Sequence, residues 1–218
     1  MFFYKKVSKD LWRFLEVGFS LLYIGIFLGC IALFIKGDNY TIHLSTTIKY
    51  ITYSFYVDRL SLFFIGIVAF NGAINSIYTL DYIEEENYDK KILMTMLKNI
   101  FILSMILVLL SANVFTFLLF WEVMSILSFF LVLWDFKKEE NYKASLIYIV
   151  MTHIGTAFIL LSFVGFYINT NSLSFDHWQN LSLNTFWTTW IFLFSVLGFG
   201  MKERSMICLV LYQKAIQI

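Results

Sequence analysis

The chain has 218 residues, of which 60% are hydrophobic, 20% aromatic and only 14% charged, with a net charge of +1. Soluble domains carry about 45–50% apolar and about 25% charged residues, so this chain has too little polar surface to enclose a core in water, and lipid must be its solvent. The net charge says nothing about partners, and no basic patch suggests nucleic acid. Two cysteines, Cys30 and Cys208, form neither a disulfide framework nor a metal-ligand spacing.

Residues 1–13 are basic (Lys5, Lys6, Lys9, Arg13) and lead into the first apolar run, Phe14–Ile35. That run is longer than a signal-peptide core and lacks a small-x-small cleavage site, so it reads as a retained spanning helix. Five more runs follow: Leu60–Leu80, Ile92–Ala112, Val114–Trp134, Ser145–Ile168 and Phe186–Met201. A span takes about 20 residues to cross a hydrocarbon core of about 30 Å. The first five meet that length, and the sixth, with 16 residues, is marginal. The fold class expected is an all-α polytopic bundle of about six spans in one transmembrane domain over 1–218, because lipid forces each segment to satisfy its own backbone.

The longest connection, 36–59, is β-branched and partly alternating, which predicts a small hairpin. Six spans would place twelve lysines and arginines on one side, against Lys36, Lys49 and Arg59 on the other. By the positive-inside bias both termini are expected in the cytoplasm, and 36–59 and 169–185 outside. Lys98, near the start of the third run, is expected to snorkel outward. Glu16, Asp58-Arg59, Glu84-Glu85-Glu86 and 135–140 read as solvated flanks. Asn39-Tyr40-Thr41 and Asn180-Leu181-Ser182 match the glycosylation acceptor and are taken as chance. There is no proline.

An ionisable group at membrane depth costs at least about 2.5–3.5 kcal/mol on insertion scales and needs a reason. Glu122 is the ninth residue of the fourth run, near mid-membrane. Desolvation favours its neutral acid, which suits a proton carrier, and Ser125 stands one turn on along the same face. The bland alternative is a hydrogen bond between helices. His153 lies among Thr152, Gly155 and Thr156, small residues that favour close helix packing, and reads either as a packing residue or as part of a proton path. Lys202, after Leu197-Gly198-Phe199-Gly200-Met201, reads by composition as an interfacial lysine.

These residues carry a resemblance. Val57-Asp58-Arg59-Leu60-Ser61 and Phe120-Trp121-Glu122-Val123-Met124-Ser125 resemble motifs of the antiporter-like, proton-conducting subunits of respiratory complex I. Ile77 to Tyr82, Tyr148 to Ala157, Ser172 to Asp176 and Leu197 to Lys202 resemble the hydrogenase-4 component B and formate hydrogenlyase subunit 3 branch. The likeness covers about residues 53–202.

It implies a non-catalytic, proton-translocating subunit of an oxidoreductase complex in the cell's inner membrane, with no redox cofactor of its own. Other membrane and hydrophilic subunits would be its partners, and protons, or sodium, its cargo. Glu122 would be the buried acid, Lys202 its partner lysine on a later, interrupted helix, and His153 the branch's histidine. The rivals are a subunit of a multisubunit sodium/proton antiporter and a non-conducting assembly protein. After Lys202 the family's proline-rich continuation is replaced by Glu203 to Ile218. The resemblance therefore implies an N-terminal fragment with a divergent tail over 203–218, the product of a truncated or shifted reading frame.

Overall fold

A computed structural model describes residues 9–37, 40–45, 52–82, 88–133, 139–178 and 181–216. Its helices are α1 (Lys9–Lys36), α2 (Arg59–Tyr82), α3 (Tyr88–Leu110), α4 (Val114–Val132), α5 (Glu139–Thr170) and α6 (Thr185–Ile216). Strands β1 (Tyr40–Ser45) and β2 (Thr52–Val57) pair in a two-stranded sheet between α1 and α2. The short connection allows only an antiparallel return, which is the hairpin expected from the alternation. A 3-10 turn, Phe175–Trp178, precedes α6.

Among the described residues, five helices are long and apolar enough to cross a membrane: Asp10–Lys36, Arg59–Leu80, Lys90–Leu110, Val114–Val132 and Ser145–Thr170. The marginal sixth run lies inside α6, which continues past Lys202 without a break to Ile216. No proline interrupts its i→i−4 ladder, so the interruption implied by the resemblance is absent. The glutamates at 84–86, the cluster around 135–138 and the tip of the hairpin lie outside the described residues or their side chains do.

Several helix ends are set by local chemistry. Gly37 adopts φ 78° after α1, a left-handed stop, and its N–H reaches Leu33 O at 3.0 Å. Asp58 Oδ1 accepts from Ser61 N at 2.7 Å and caps the start of α2. Asn113 does the same for α4, accepting from Thr116 N at 2.7 Å. Asn171, at φ 53°, ends α5 with its N–H on Tyr167 O at 2.8 Å. Asp58 is therefore a half-buried cap rather than a solvated flank.

The chain divides into two compact units, α1 to α3 and α4 to α6, with hairpin residues assigned to each. In the first, α2 buries one stripe: Leu62, Ile65, Ala69, Ala73 and Ser76. Spacings of three and four residues place these on one helix face, against α1 and α3. In the second, α5 packs mainly on α6 and also on α4. The segment after α5 closes one end of this unit: Val114 N bonds Leu173 O at 3.0 Å and Phe175 N bonds Ala112 O at 3.1 Å.

Burial is inverted relative to a water-soluble domain. Among the described residues, 16 buried side chains are polar or charged and 13 are apolar, while Phe14 and Phe192 are 75% and 69% exposed. Large apolar groups face outward because lipid solvates them, and small polar groups pair inward. This is a multi-pass membrane protein.

Candidate functional site

The second unit holds the three titratable side chains singled out in the sequence, Glu122, His153 and Lys202. Glu122 is the ninth residue of α4, midway along a 19-residue helix. The small residues of α5 and α6 set the distances around it. Gly155 and Gly198 meet where these helices cross: a Cβ on Gly198 would lie 2.8 Å from Gly155 O, and one on Gly155 would lie 2.9 Å from Gly198 O. Only glycine permits this approach. His153 precedes the crossing on α5 and Lys202 follows it by one turn on α6, so both heads reach α4.

Lys202 Nζ donates to Ser125 Oγ at 2.8 Å and lies 3.6 Å from the centre of the Trp121 ring. It also stands 3.5 Å from Trp121 O, at the outer limit of a hydrogen bond. Ser125 is almost fully buried and gives its own hydrogen to Trp121 O at 2.8 Å, so its lone pairs are turned to the ammonium. An oxygen acceptor and an aromatic face are two ways of compensating a cation away from water. Glu122, between these two residues in sequence, lies within electrostatic reach of the same ammonium. The indole is held by Phe117, stacked at 5.1 Å, and by Phe199 from α6, edge-on at 5.4 Å.

On the other side of Glu122, its Oε2 is 3.5 Å from His153 Nε2. His153 Nδ1 sits 2.9 Å from Ile149 O. A carbonyl can only accept, so Nδ1 carries a hydrogen. In the neutral ring Nε2 is then a bare lone pair facing a carboxylate oxygen. The contact is attractive only when the pair holds one extra proton, as imidazolium and carboxylate or as imidazole and carboxylic acid. Glu122 Oε1 is buried with no hydrogen-bond partner among the described residues. Nearly two turns beyond Glu122 on α4, Ser128 shares with Tyr148 a hydrogen bond of 2.5 Å that ties α4 to α5.

Glu122, His153 and Lys202, the three candidates from the sequence, thus come together in one unit. Ser125 was legible as a neighbour on the Glu122 face, but Trp121 as a cation platform was not. Two expectations about charge are overturned. Glu16, read as a solvated flank, is fully buried, and Lys98, read as snorkelling, turns inward to it with Nζ 2.8 Å from Oε2. The reason is that α1 and α3 each bring the other's counter-charge, which satisfies both groups without water. Among the described residues no cluster of His, Cys, Asp and Glu could hold a metal.

Comparison with known proteins places this architecture. Residues 111–210 match the family described as NADH:quinone oxidoreductase/Mrp antiporter, TM. Hydrogenase-4 component B of Escherichia coli (strain K12) is 31% identical over 150 residues, covering 69% of this chain and 22% of that protein. NADH-ubiquinone oxidoreductase chain 5 of Paramecium tetraurelia is 27% identical over 132 residues, covering 61% of this chain and 23% of that one. A solved chain from the membrane-bound sulfane sulfur reductase, an archaeal respiratory membrane complex, superposes with a TM-score of 0.69 over 89% of this chain and 39% of its own. At 20% identity that match speaks for the fold alone. The fold is that of a membrane subunit of the respiratory-complex type. The chain belongs to the antiporter-like subunit family, and it spans about a fifth of the length of the curated relatives it matches.

Proposed function

We propose that this chain is a proton-translocating section of a membrane subunit in a hydrogenase-4 or complex I-like redox complex, and that Glu122, His153 and Lys202 handle the proton. The observation that carries the reading is their convergence at the Gly155–Gly198 crossing, with Lys202 held by Ser125 at 2.8 Å and His153 at 3.5 Å from Glu122.

The chemistry follows from charge. While Glu122 is ionised it favours the ammonium of Lys202; when Glu122 takes up a proton, that stabilisation is withdrawn and Lys202 can release one. His153 offers the relay, because the extra proton of the pair can reside on either Nε2 or the carboxyl. Redox chemistry would take place in partner subunits, membrane and hydrophilic, that drive these changes. The termini of this section would face the cytoplasm.

The experiment is proton uptake or redox-coupled growth in the assembled complex, with assembly measured independently. Glu122→Gln keeps the volume and removes the charge; it and Lys202→Met should each impair coupling, and the double variant should fall short of their sum. Glu122→Asp should retain part of the activity. Normal coupling in an assembled Glu122→Gln complex would make the glutamate structural and end this reading.

A further inference from the structure

The first unit holds a second buried acid–base pair that the transport reading leaves unused. Glu16 is 0% exposed, and Lys98 Nζ lies 2.8 Å from its Oε2 and 3.1 Å from its Oε1. Thr95 Oγ1 donates to Glu16 Oε1 at 2.6 Å and accepts from Trp12 Nε1 at 3.2 Å. From α2, Ser76 Oγ and Thr79 Oγ1 stand at 3.4 and 3.5 Å from the ammonium. Three helices thus meet at one ion pair, with hydroxyls around it from α2 and α3.

The surroundings have a direction. Polar groups recur along one face of α1 (Trp12, Glu16, Ser20, Tyr23) and of α3 (Lys91, Thr95, Lys98, Asn99), all buried. They begin at the end of the unit where α1 and α3 start and α2 finishes. Lys91 sits nearest that end, 4.9 Å over the Trp12 ring. The strip stops where the Tyr23 hydroxyl bonds Asn99 Oδ1. Beyond it, Ala73, Ile102, Ile65, Leu62 and Cys30 are buried among apolar neighbours. Glu16 is the eighth residue of α1, about 10 Å along the helix at about 1.5 Å per residue. It therefore lies within reach of one aqueous face and behind an apolar layer from the other.

We infer that Glu16 and Lys98 form a proton-exchanging pair at the closed end of a polar inlet, loaded from the water at the end where α1 begins. A tie between helices needs no charge, as the Ser128–Tyr148 bond of the second unit illustrates. Two charges at membrane depth are expensive, and such groups mark proton and ion paths more often than braces. In the loading step hydronium gives its proton to a Glu16 oxygen and leaves as water, while Lys98 keeps its three N–H bonds and Thr95 can turn to donate elsewhere. Release reverses it. The titratable groups facing Glu16 are Lys98 from α3 and, within electrostatic reach, Tyr23 from its own helix. Lys91 stands a turn away, and α2 presents the Ser76 and Thr79 hydroxyls among its described residues.

The test titrates the full chain in liposomes while infrared difference spectra record carboxylic-acid C=O bands, with glutamate carboxyls isotopically labelled. The expected result is a reversible acid band that Glu16→Gln removes, Glu16→Asp shifts and Glu122→Gln leaves in place. Because Glu16→Gln strands the Lys98 ammonium, the neutral pair Glu16→Gln/Lys98→Gln is measured beside it. That double variant should keep the helix content and thermal midpoint of the parent chain and still lack the band. A folded chain with no Glu16-dependent acid band, across the whole pH range in which it stays folded, would overturn the inference and leave the pair as a brace. The readout is proton uptake at one carboxyl, so it stands or falls separately from transport through Glu122.

Discussion

Replacing Gly198 by alanine probes the contact that assembles the candidate site. The new Cβ would lie 2.6 Å from Ile159 Cγ1, 2.8 Å from Ile159 N and 2.8 Å from Gly155 O. Two of these three atoms are backbone of α5, and Ile159 itself is fully buried, so no rotamer change relieves the clash. Ordinary contact begins at 3.4 Å; 3.4 less 2.8 means that α6 must back away by at least about 0.6 Å. Overpacking of this kind costs about 1–3 kcal/mol, and a gap of that size forfeits a quarter to a half of the dispersion well for the atoms around it. Alanine's better helix propensity returns up to about 1 kcal/mol, so the net change is a loss of about 0–2 kcal/mol, and of about 1–3 kcal/mol relative to an alanine that meets no clash. Gly200→Ala is the control, since nothing lies within 4 Å of a Cβ there. It should be neutral or stabilising by up to about 1 kcal/mol. Denaturation of the purified chain in detergent, followed by circular dichroism and tryptophan fluorescence, measures both. A Gly198→Ala chain as stable as Gly200→Ala would refute the close crossing and with it the placement of Lys202 beside Ser125.

Other perturbations test single contacts. Ser125→Ala removes the 2.8 Å acceptor of the Lys202 ammonium; a hydrogen bond to a charged group contributes about 1.5–3 kcal/mol, and coupled proton uptake should fall while assembly persists. Lys98→Met leaves the buried Glu16 carboxylate uncompensated and should cost about 3–5 kcal/mol in a detergent melt, most of it recovered when Glu16→Gln is added. Asn113→Ala deletes the cap of α4 and should cost about 0.5–2 kcal/mol in the same assay. For orientation, a cysteine replacing Ser45 should react with an impermeant thiol reagent in intact cells and one replacing Lys9 should not; ready labelling at position 9 would reverse the assigned sides.

The presence and order of the helices could be read from the chain alone, because lipid leaves few alternatives, but not their full extent: α6 runs on to Ile216, well past the apolar run that marks it. A run such as Val114–Trp134, with one charge in it, has to be a helix, and that charge has to have a use. Glu122 is conspicuous for this reason, and its Ser125 neighbour follows from helical spacing. The hairpin at β1 and β2 was legible too, through alternation and a connection too short for any other return. Partners across helices were not legible. Glu16 and Lys98 lie 82 residues apart and each stands near the end of an apolar run, where a charge reads as flank. Lys202 and Ser125 are 77 apart, and nothing in either local pattern specifies the other. Whether a charge at a helix end meets water or a counter-charge depends on which helix packs beside it and at what distance. Here that distance is decided by glycines such as Gly155 and Gly198, and by the stripe Ala69, Ala73 and Ser76 on α2. Composition determined the solvent and the elements of this protein; the packing of its helices decided which of its charges are buried.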